Sequence, residues 1–269
     1  MTKAQKNMLL YVLFIITYSL SCFTVSTDKI EGYNGYFSSK TTQFMIFKFL
    51  LIFSLTLLSV VINKSNTKRI TNYTCVFLNI TLLIYIFDYY VTELSGNSIY
   101  CKIWWLCAIF VTQAGFYIGL SIAKPKDFKT LARKFWLSFI PVFTFTFLIV
   151  FLRQPNSYYE LNLKIGDGLF SYLGYTLKYF SHSTWSVFGF VGNFVFFIPI
   201  PFMLKASFQN MKKPYVFLVG FTVPLLVEGY QFVFKCGSVD IDDIILNELG
   251  IIVGMILLLA EQKRTAQIK

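Results

Sequence analysis

The chain has 269 residues, of which 56% are hydrophobic and only 14% are charged, and its formal net charge is +11 at pH 7. Water-soluble globular domains carry a larger share of charged side chains, so this composition excludes that class and indicates an integral membrane protein. Basic segments of membrane proteins face anionic lipid, and the net charge therefore requires no nucleic-acid partner; we expect none.

Apolar runs long enough to cross a bilayer recur along the chain. A hydrocarbon core of about 30 Å requires roughly 20 helical residues. The runs that meet this requirement are 8–25, 44–62, 73–91, 99–123, 135–152, 185–204, 215–234 and 244–260. They predict an all-α integral membrane protein with about eight transmembrane helices. We interpret the first run as a retained signal anchor, because no A-x-A-like cleavage site follows it.

Most of the Lys and Arg residues fall in alternate connections between these runs. They cluster in the N-terminal tail, at 63–72, 124–134 and 205–213, and in the C-terminal tail. The positive-inside rule then predicts that both termini are cytoplasmic. The longest external connection, 153–184, contains apolar residues at helical spacing from Leu169 to Phe180, with tyrosines beside them. This pattern predicts a helix that lies in the membrane interface.

The five cysteines form no C-x-x-C pair, and the single histidine, His182, has no nearby ligand partner in the sequence. We therefore expect neither a metal site nor a cofactor. Cys22, Cys101 and Cys236 would all lie near the outer face. Two readings stay open for them: a disulfide between two of the three, or buried thiols that behave as small hydrophobes.

Polar side chains are concentrated in the last predicted helical hairpin. Glu228 and Gln231 fall in the outer half of one helix, and Asp243 and Asn247 fall in the outermost turns of the next. Residues three or four apart share a helix face, so each helix can direct its pair at one place. Acids within a membrane span are costly, and Glu228 is therefore a functional candidate by default.

Structural readings compete with this functional one. Asp242 or Asp243 could serve only as a helix N-cap. Glu228 and Gln231 could form a hydrogen bond between helices, and Glu248 or Asp88 could be a lone interhelical contact.

Two neighbouring segments add helix-packing signals. Asn193 lies within the sixth apolar run, and Pro199 and Pro201 follow it, which predicts a bend in the cytoplasmic half of that helix. Gly250 and Gly254 form a G-x-x-x-G motif that permits close helix approach.

The motifs GNFVFFIP, VEGYQ and DIDDIILNELG, in this order, resemble the signature of the VanZ-like family, and the resemblance covers about residues 133 to 260. The positions of this chain that match the signature are Asn193, Phe197, Pro199, Glu228, Gln231, Asp240, Asp243, Asn247 and Gly250. Pro201 departs from the family pattern, which usually has glycine there. Gly237 stands where an arginine is common, and Lys235 is the nearest basic residue.

The resemblance implies a multi-pass protein of the bacterial plasma membrane, of a family associated with tolerance of glycopeptide antibiotics such as teicoplanin. On this reading Glu228 and Asp243 are the candidate catalytic residues. The candidate substrate-binding residues are Asn193, Gln231, Lys235, Asp240 and Asn247.

Three mechanisms remain open from the sequence. The outer polar cluster could act on a membrane lipid or a lipid-linked envelope precursor, the acids could serve a proton-coupled transporter or lipid flippase, or the motif could only lock helices together. No nucleophile arrangement supports a named reaction, so the sequence does not decide whether the protein is an enzyme. We expect a four-helix block over 1–130 and a VanZ-like domain over 131–262, and inspection of the sequence reveals no internal repeat between them.

Overall fold

The computed structural model describes residues 1–2, 5–7, 9, 12–13, 39–95, 100–151, 159–166, 192–235 and 237–266. Most of the predicted signal anchor, the predicted interfacial helix, Cys22 and Cys236 lie outside these residues, and the side chains of Cys101 and Asp88 are not described.

The described part of the chain is mainly helical, as the apolar runs predict. The helices are α1 (Ser39–Ile62), α2 (Thr67–Ser95), α3 (Tyr100–Ala123), α4 (Phe128–Phe151), α5 (Ile200–Ser207), α6 (Lys213–Phe234) and α7 (Ile241–Ala266). Two short strands, β1 (Tyr159–Asn162) and β2 (Gly237–Asp240), were not predicted.

Three helices of the described chain are long and apolar enough to span a membrane. They cover Phe128–Leu148, Lys213–Phe234 and Ile241–Arg264. A fourth span is present if Leu50–Ile62 and Lys64–Ile80, which are bent by 76° at their junction, count as one broken helix. Large apolar side chains of α6 point away from the protein, since Leu218, Leu226 and Val233 are 62%, 66% and 69% exposed. Such apolar surfaces suit contact with lipid. The full set of eight spans stays a prediction.

The chain divides into two compact units, Met1–Ser138 and Phe139–Lys269, and the division falls within α4. Whether 1–130 and 131–262 fold independently stays a prediction.

The first unit is built around close packing of α1 and α3. A Cβ atom on Gly115 would lie 2.8 Å from the Phe53 carbonyl oxygen, and one on Gly119 would lie 3.1 Å from the Leu57 carbonyl oxygen. The later glycine of α3 contacts the later residue of α1, so the two helices are parallel. The glycines allow the backbones to approach because they carry no side chain. This second G-x-x-x-G was missed in the sequence.

The second unit contains a helix that breaks where the prolines predicted a bend. Residues 192–195 are helical, 196–199 form a turn, and α5 follows. Proline has no N–H to donate to the carbonyl four residues before it. The Val195 and Phe197 carbonyls, which lose their partners in this way, instead accept the N–H groups of Ile198 and Ile200, both at 3.3 Å. We call residues 192–207 the broken helix.

Candidate functional site

The site is built on the hairpin formed by α6, β2 and α7. A Cβ on Gly220 of α6 would lie 3.4 Å from Ile251 of α7, and Glu228 lies near Asp243 in electrostatic contact. These two contacts show antiparallel packing. The hairpin therefore brings the polar end of α6 beside the first turns of α7, as the sequence predicted for Glu228 and Asp243.

The turn between the two helices fixes the position of Lys235. Its N–H donates to the Gln231 carbonyl oxygen, and its backbone is left-handed, with φ of 50°. A left-handed residue after the last turn is a common helix ending, although glycine usually fills it. Lys235 is exposed and Gln231 is half-buried, so both lie at the accessible end of the hairpin.

Asp240, and not Asp242, caps α7. An Asp240 carboxylate oxygen, Oδ1, accepts the Asp242 N–H at 2.9 Å. The acceptor, Asp240, stands immediately before the first helical residue, and the donor, Asp242, is the second helical residue. This is the standard geometry of a helix N-cap. The hypothesis that Asp242 or Asp243 is the cap is therefore wrong, because α7 begins at Ile241, two residues earlier than a cap at Asp242 would allow.

Residues 159–166 lie against the acidic segment, a contact that no local sequence pattern predicts. Strand β1 pairs in parallel with β2, with Asn162 opposite Asp240. The Asn162 amide donates to Asp240 Oδ2 at 3.1 Å, and the Gly166 N–H donates to Asp242 Oδ1 at 2.8 Å. Gly166 has φ of 91°, a conformation that favours glycine. The carboxylates of Asp240 and Asp242 are thus held in place by hydrogen bonds from distant sequence.

Glu228 is buried beside other acids. It is 5% exposed, and the Asp240 N–H donates to its carboxylate. Its other oxygen, Oε2, is buried and has no hydrogen-bond partner among the described residues. The charged groups that act on Glu228 are the carboxylates of Asp243 and Asp240.

Asp243 connects the hairpin to the broken helix. The Asn193 side chain is hydrogen-bonded to its carboxylate, and Asp240 and Asp242 are its electrostatic neighbours. The structure therefore brings Asn193, Glu228, Asp240 and Asp243 together; we call these four residues the acid cluster.

Close packing of α7 on the broken helix supports this arrangement. A Cβ on Gly250 would lie 2.2 Å from the Phe194 carbonyl oxygen, and one on Gly254 would lie 2.3 Å from the Ile198 carbonyl oxygen. Phe197, which is fully buried, packs at the same contact. The predicted role of the G-x-x-x-G in close helix approach is thus confirmed, and it explains why Asn193 can reach Asp243.

Two further polar residues are buried below the acid cluster. Asn247, one helical turn after Asp243, is fully buried, and within the described chain neither of its amide atoms has a hydrogen-bond partner. Glu248 is 7% exposed, and neither carboxylate oxygen has a partner there. Buried polar groups normally find partners, so these groups call for an explanation.

Side chains of the described residues form no group of three His, Cys, Asp or Glu that could hold a metal ion. The cluster consists of carboxylates and an amide, which accept hydrogen bonds and attract cations, and it contains no thiol or imidazole that could act as a nucleophile.

The functional residues that sequence reasoning missed are Asn162 and Gly166. Both stabilise the site through hydrogen bonds to residues more than seventy positions away in the sequence. No local sequence pattern predicts such a contact.

Comparison with known proteins gives one result. The VanZ/LLP1 family model matches residues 135–261. No curated protein and no solved structure matches the chain. The matched segment contains the broken helix, α6, β2 and α7, and thereby every residue of the acid cluster. Residues 135–261 of this chain are therefore similar to the VanZ/LLP1 family.

Proposed function

We propose that this VanZ-like protein acts at the outer leaflet of a bacterial plasma membrane on a lipid headgroup or a lipid-linked envelope precursor, and thereby contributes to tolerance of teicoplanin-type glycopeptides. The observation that carries the proposal is the buried, unpartnered oxygen of Glu228 among neighbouring acids. A buried acid surrounded by like charges attracts a proton or a hydrogen-bond donor. In this proposal Glu228 and Asp243 exchange a proton with the bound group.

The chemistry of the cluster restricts what can enter it. Carboxylates repel phosphate, and they accept hydrogen bonds from hydroxyl or ammonium groups. The part of the substrate that reaches Glu228 accordingly carries such donors. Lys235, exposed at the end of α6, is the residue available to an anionic phosphate outside the cluster, and Gln231 and Asn247 offer further hydrogen bonds.

Transport is the first alternative, since acids and broken helices also occur in proton-coupled transporters and flippases. The distribution of buried residues on α7 favours a local site over a polar path across the membrane. The buried polar residues of α7 end at Asn247 and Glu248, and the buried side chains that follow are Ile251, Met255 and Leu258. A polar path along this helix thus ends about one turn below Asp243.

A purely structural role is the second alternative, and one observation favours it. The segment 159–166 and the acidic residues are joined by hydrogen bonds that would lock the outer end of the unit without any substrate.

The matched pair Glu228→Gln and Asp242→Asn tests the proposal. The first removes the ionisable proton and keeps the side-chain shape. The second removes a charge nearby but keeps an oxygen that can accept the Gly166 N–H. Expressed in a glycopeptide-susceptible Gram-positive host, Glu228→Gln should lose teicoplanin tolerance at unchanged membrane abundance, and Asp242→Asn should keep most of it. Full tolerance in Glu228→Gln would favour the structural role.

A further inference from the structure

The segment that pairs with the acidic turn has an alternating sequence. Residues 159–166 read YELNLKIG, with apolar side chains at Tyr159, Leu161, Leu163 and Ile165 and polar ones at Glu160, Asn162 and Lys164. Alternation of this kind is typical of a strand with one face on the protein and the other face in water. In a water-soluble protein the apolar face is the one that packs inward.

The structure places the two faces the other way round. Asn162, on the polar face, is half-buried, and its amide donates to the Asp240 carboxylate. The apolar side chains point away from the protein, since Leu161, Leu163 and Ile165 are 45%, 65% and 73% exposed. A single exposed leucine is ordinary. Three exposed apolar side chains within five residues, on a segment bonded through its polar face, form a patch that is unfavourable in water.

The patch lies at the same end of the second unit as an exposed apolar surface of α6. That helix is long and apolar enough to span a membrane, and its last three residues, Phe232, Val233 and Phe234, are all exposed. Phe234 lies six residues beyond Glu228, which is about 9 Å along a helix. Strand β2 follows this end of α6 and pairs with β1. We call the following six residues the apolar collar: Leu161, Leu163, Ile165, Phe232, Val233 and Phe234.

We propose that residues 159–166 lie in the membrane interface, with the apolar collar against the acyl chains of the leaflet that surrounds this end of the hairpin. Lipid is the occupant because the collar extends the exposed surface of a helix that is suited to span the bilayer. Strands that face lipid likewise direct apolar side chains outward and polar ones inward.

The depth of the segment follows from its backbone. An open strand edge is not tolerated in the hydrocarbon core, where its N–H and C=O groups would lack partners. The backbone of 159–166 therefore stays among the headgroups, and only the side chains reach the acyl chains. Lys235, exposed directly after Phe234, suits this depth, because a lysine at the interface extends its ammonium group to the headgroup phosphates.

Contact between this segment and lipid is independent of the proposed function, because it does not involve the chemistry at Glu228. It adds a consequence to the hydrogen bonds that Asn162 and Gly166 donate to Asp240 and Asp242. The segment that holds these two carboxylates is itself held by the bilayer, so the geometry of the acidic turn is coupled to the membrane surface.

Spin-label accessibility tests the proposal. The five native cysteines are replaced by alanine in the full chain, and single nitroxide labels are attached to Leu163→Cys or Ile165→Cys in liposomes of phosphatidylglycerol and phosphatidylethanolamine. Oxygen concentrates in lipid, whereas a nickel chelate stays in water. Leu226→Cys, at an exposed position of α6, is the lipid control, and Lys126→Cys, at an exposed position between α3 and α4, is the water control.

We expect the ratio of oxygen to nickel accessibility at Leu163→Cys and Ile165→Cys to match that at Leu226→Cys and to exceed that at Lys126→Cys several-fold. A ratio as low as that at Lys126→Cys would mean contact with water and would overturn the proposal. Low accessibility to both reagents would mean that protein, such as a second copy of the chain, covers the collar, and would also overturn it.

Photocrosslinking provides a second measurement that leaves the native cysteines in place. With p-benzoylphenylalanine at Leu163, irradiation in the same liposomes should give lipid adducts that are detected by mass spectrometry, as it should at Leu226, and few adducts at Lys126. Crosslinked dimers, or adducts at Leu226 but none at Leu163, would contradict the proposal. Neither readout involves teicoplanin, so each can fail while the proposed function stands.

Discussion

The helix pair of α1 and α3 and the pair of the broken helix and α7 share a backbone contact but differ in what lies beside it. In the first pair Thr112 and Gln113 precede the glycines, whereas in the second Asn247 and Glu248 do, and above them lie Asp243 and the Asp240 cap. Glycine packing thus provides the scaffold in both units. The acid cluster lies in the second unit, and the first turn of α3 contains no acidic residue.

The glycine contacts of the two units differ in distance. Substitution at the closer contact should have the largest effect on the free energy of unfolding. In Gly250→Ala the new Cβ would lie 2.2 Å from the Phe194 carbonyl oxygen, compared with 2.8 Å between Cβ and the Phe53 oxygen in Gly115→Ala. Overpacking against backbone costs about 3 kcal/mol or more, and the looser contact about 1–2 kcal/mol. Equilibrium unfolding of the purified chain in mixed micelles should rank Gly250→Ala as the more destabilised. The reverse ranking would contradict the conclusion that the helices pack more closely at Gly250 than at Gly115.

The Asp240 cap has no acidic counterpart at the start of α3. Asp240→Ala removes both the cap and the bond from Asn162, and we expect it to lower the free energy of unfolding by about 2 kcal/mol. Asp240→Asn retains an oxygen for the Asp242 N–H and should cost much less. Equal losses in the two variants, measured by the same unfolding method, would show that the charge and not the cap stabilises α7.

Replacing the buried polar residues that precede the paired glycines by apolar ones should stabilise both units. Gln113→Met and Glu248→Met each remove a buried group without a described partner, and each should raise the free energy of unfolding by about 1 kcal/mol. Thermal unfolding of the delipidated chain measures this gain. Destabilisation at Gln113 alone would mean that the two positions differ in their surroundings.

Gly166 gives the smallest expected effect. Gly166→Ala forces a side chain into a φ of 91°, at a cost of about 1 kcal/mol. The Gly166 N–H would then leave Asp242, and limited proteolysis should cut at 159–166 sooner than in the wild type. An unchanged rate of cleavage would show that the contact with Asp242 does not hold the segment.

The apolar runs predicted the positions of the described helices, because a long apolar run in a membrane protein has few alternatives to a helix. Helices α2, α4 and α7 extend six or seven residues beyond the runs at one end, and the sixth run is interrupted in the broken helix. Helical spacing predicted that Glu228 and Gln231 on one helix and Asp243 and Asn247 on the next point at one place, and the structure brings Glu228 and Asp243 of this set together.

Other features depend on distant parts of the chain. Capping by Asp240 in place of Asp242 follows from where β2 ends, and β2 exists because it pairs with β1. Four-residue spacing of glycines is common, so the packing role of Gly115 and Gly119 became evident only when they were seen to face the carbonyls of α1.

The central claim is that Glu228 in the second unit carries the function, whereas the acid at the matching sequence position in the first unit does not. Asp88 is that acid, since it follows VFL and precedes tyrosine at the same spacing as Glu228. The direct measurement is teicoplanin tolerance of Glu228→Gln and Asp88→Asn at equal membrane abundance in the same host. We predict loss of tolerance for Glu228→Gln and wild-type tolerance for Asp88→Asn. Equal loss in both variants, or full tolerance in Glu228→Gln, would contradict the claim.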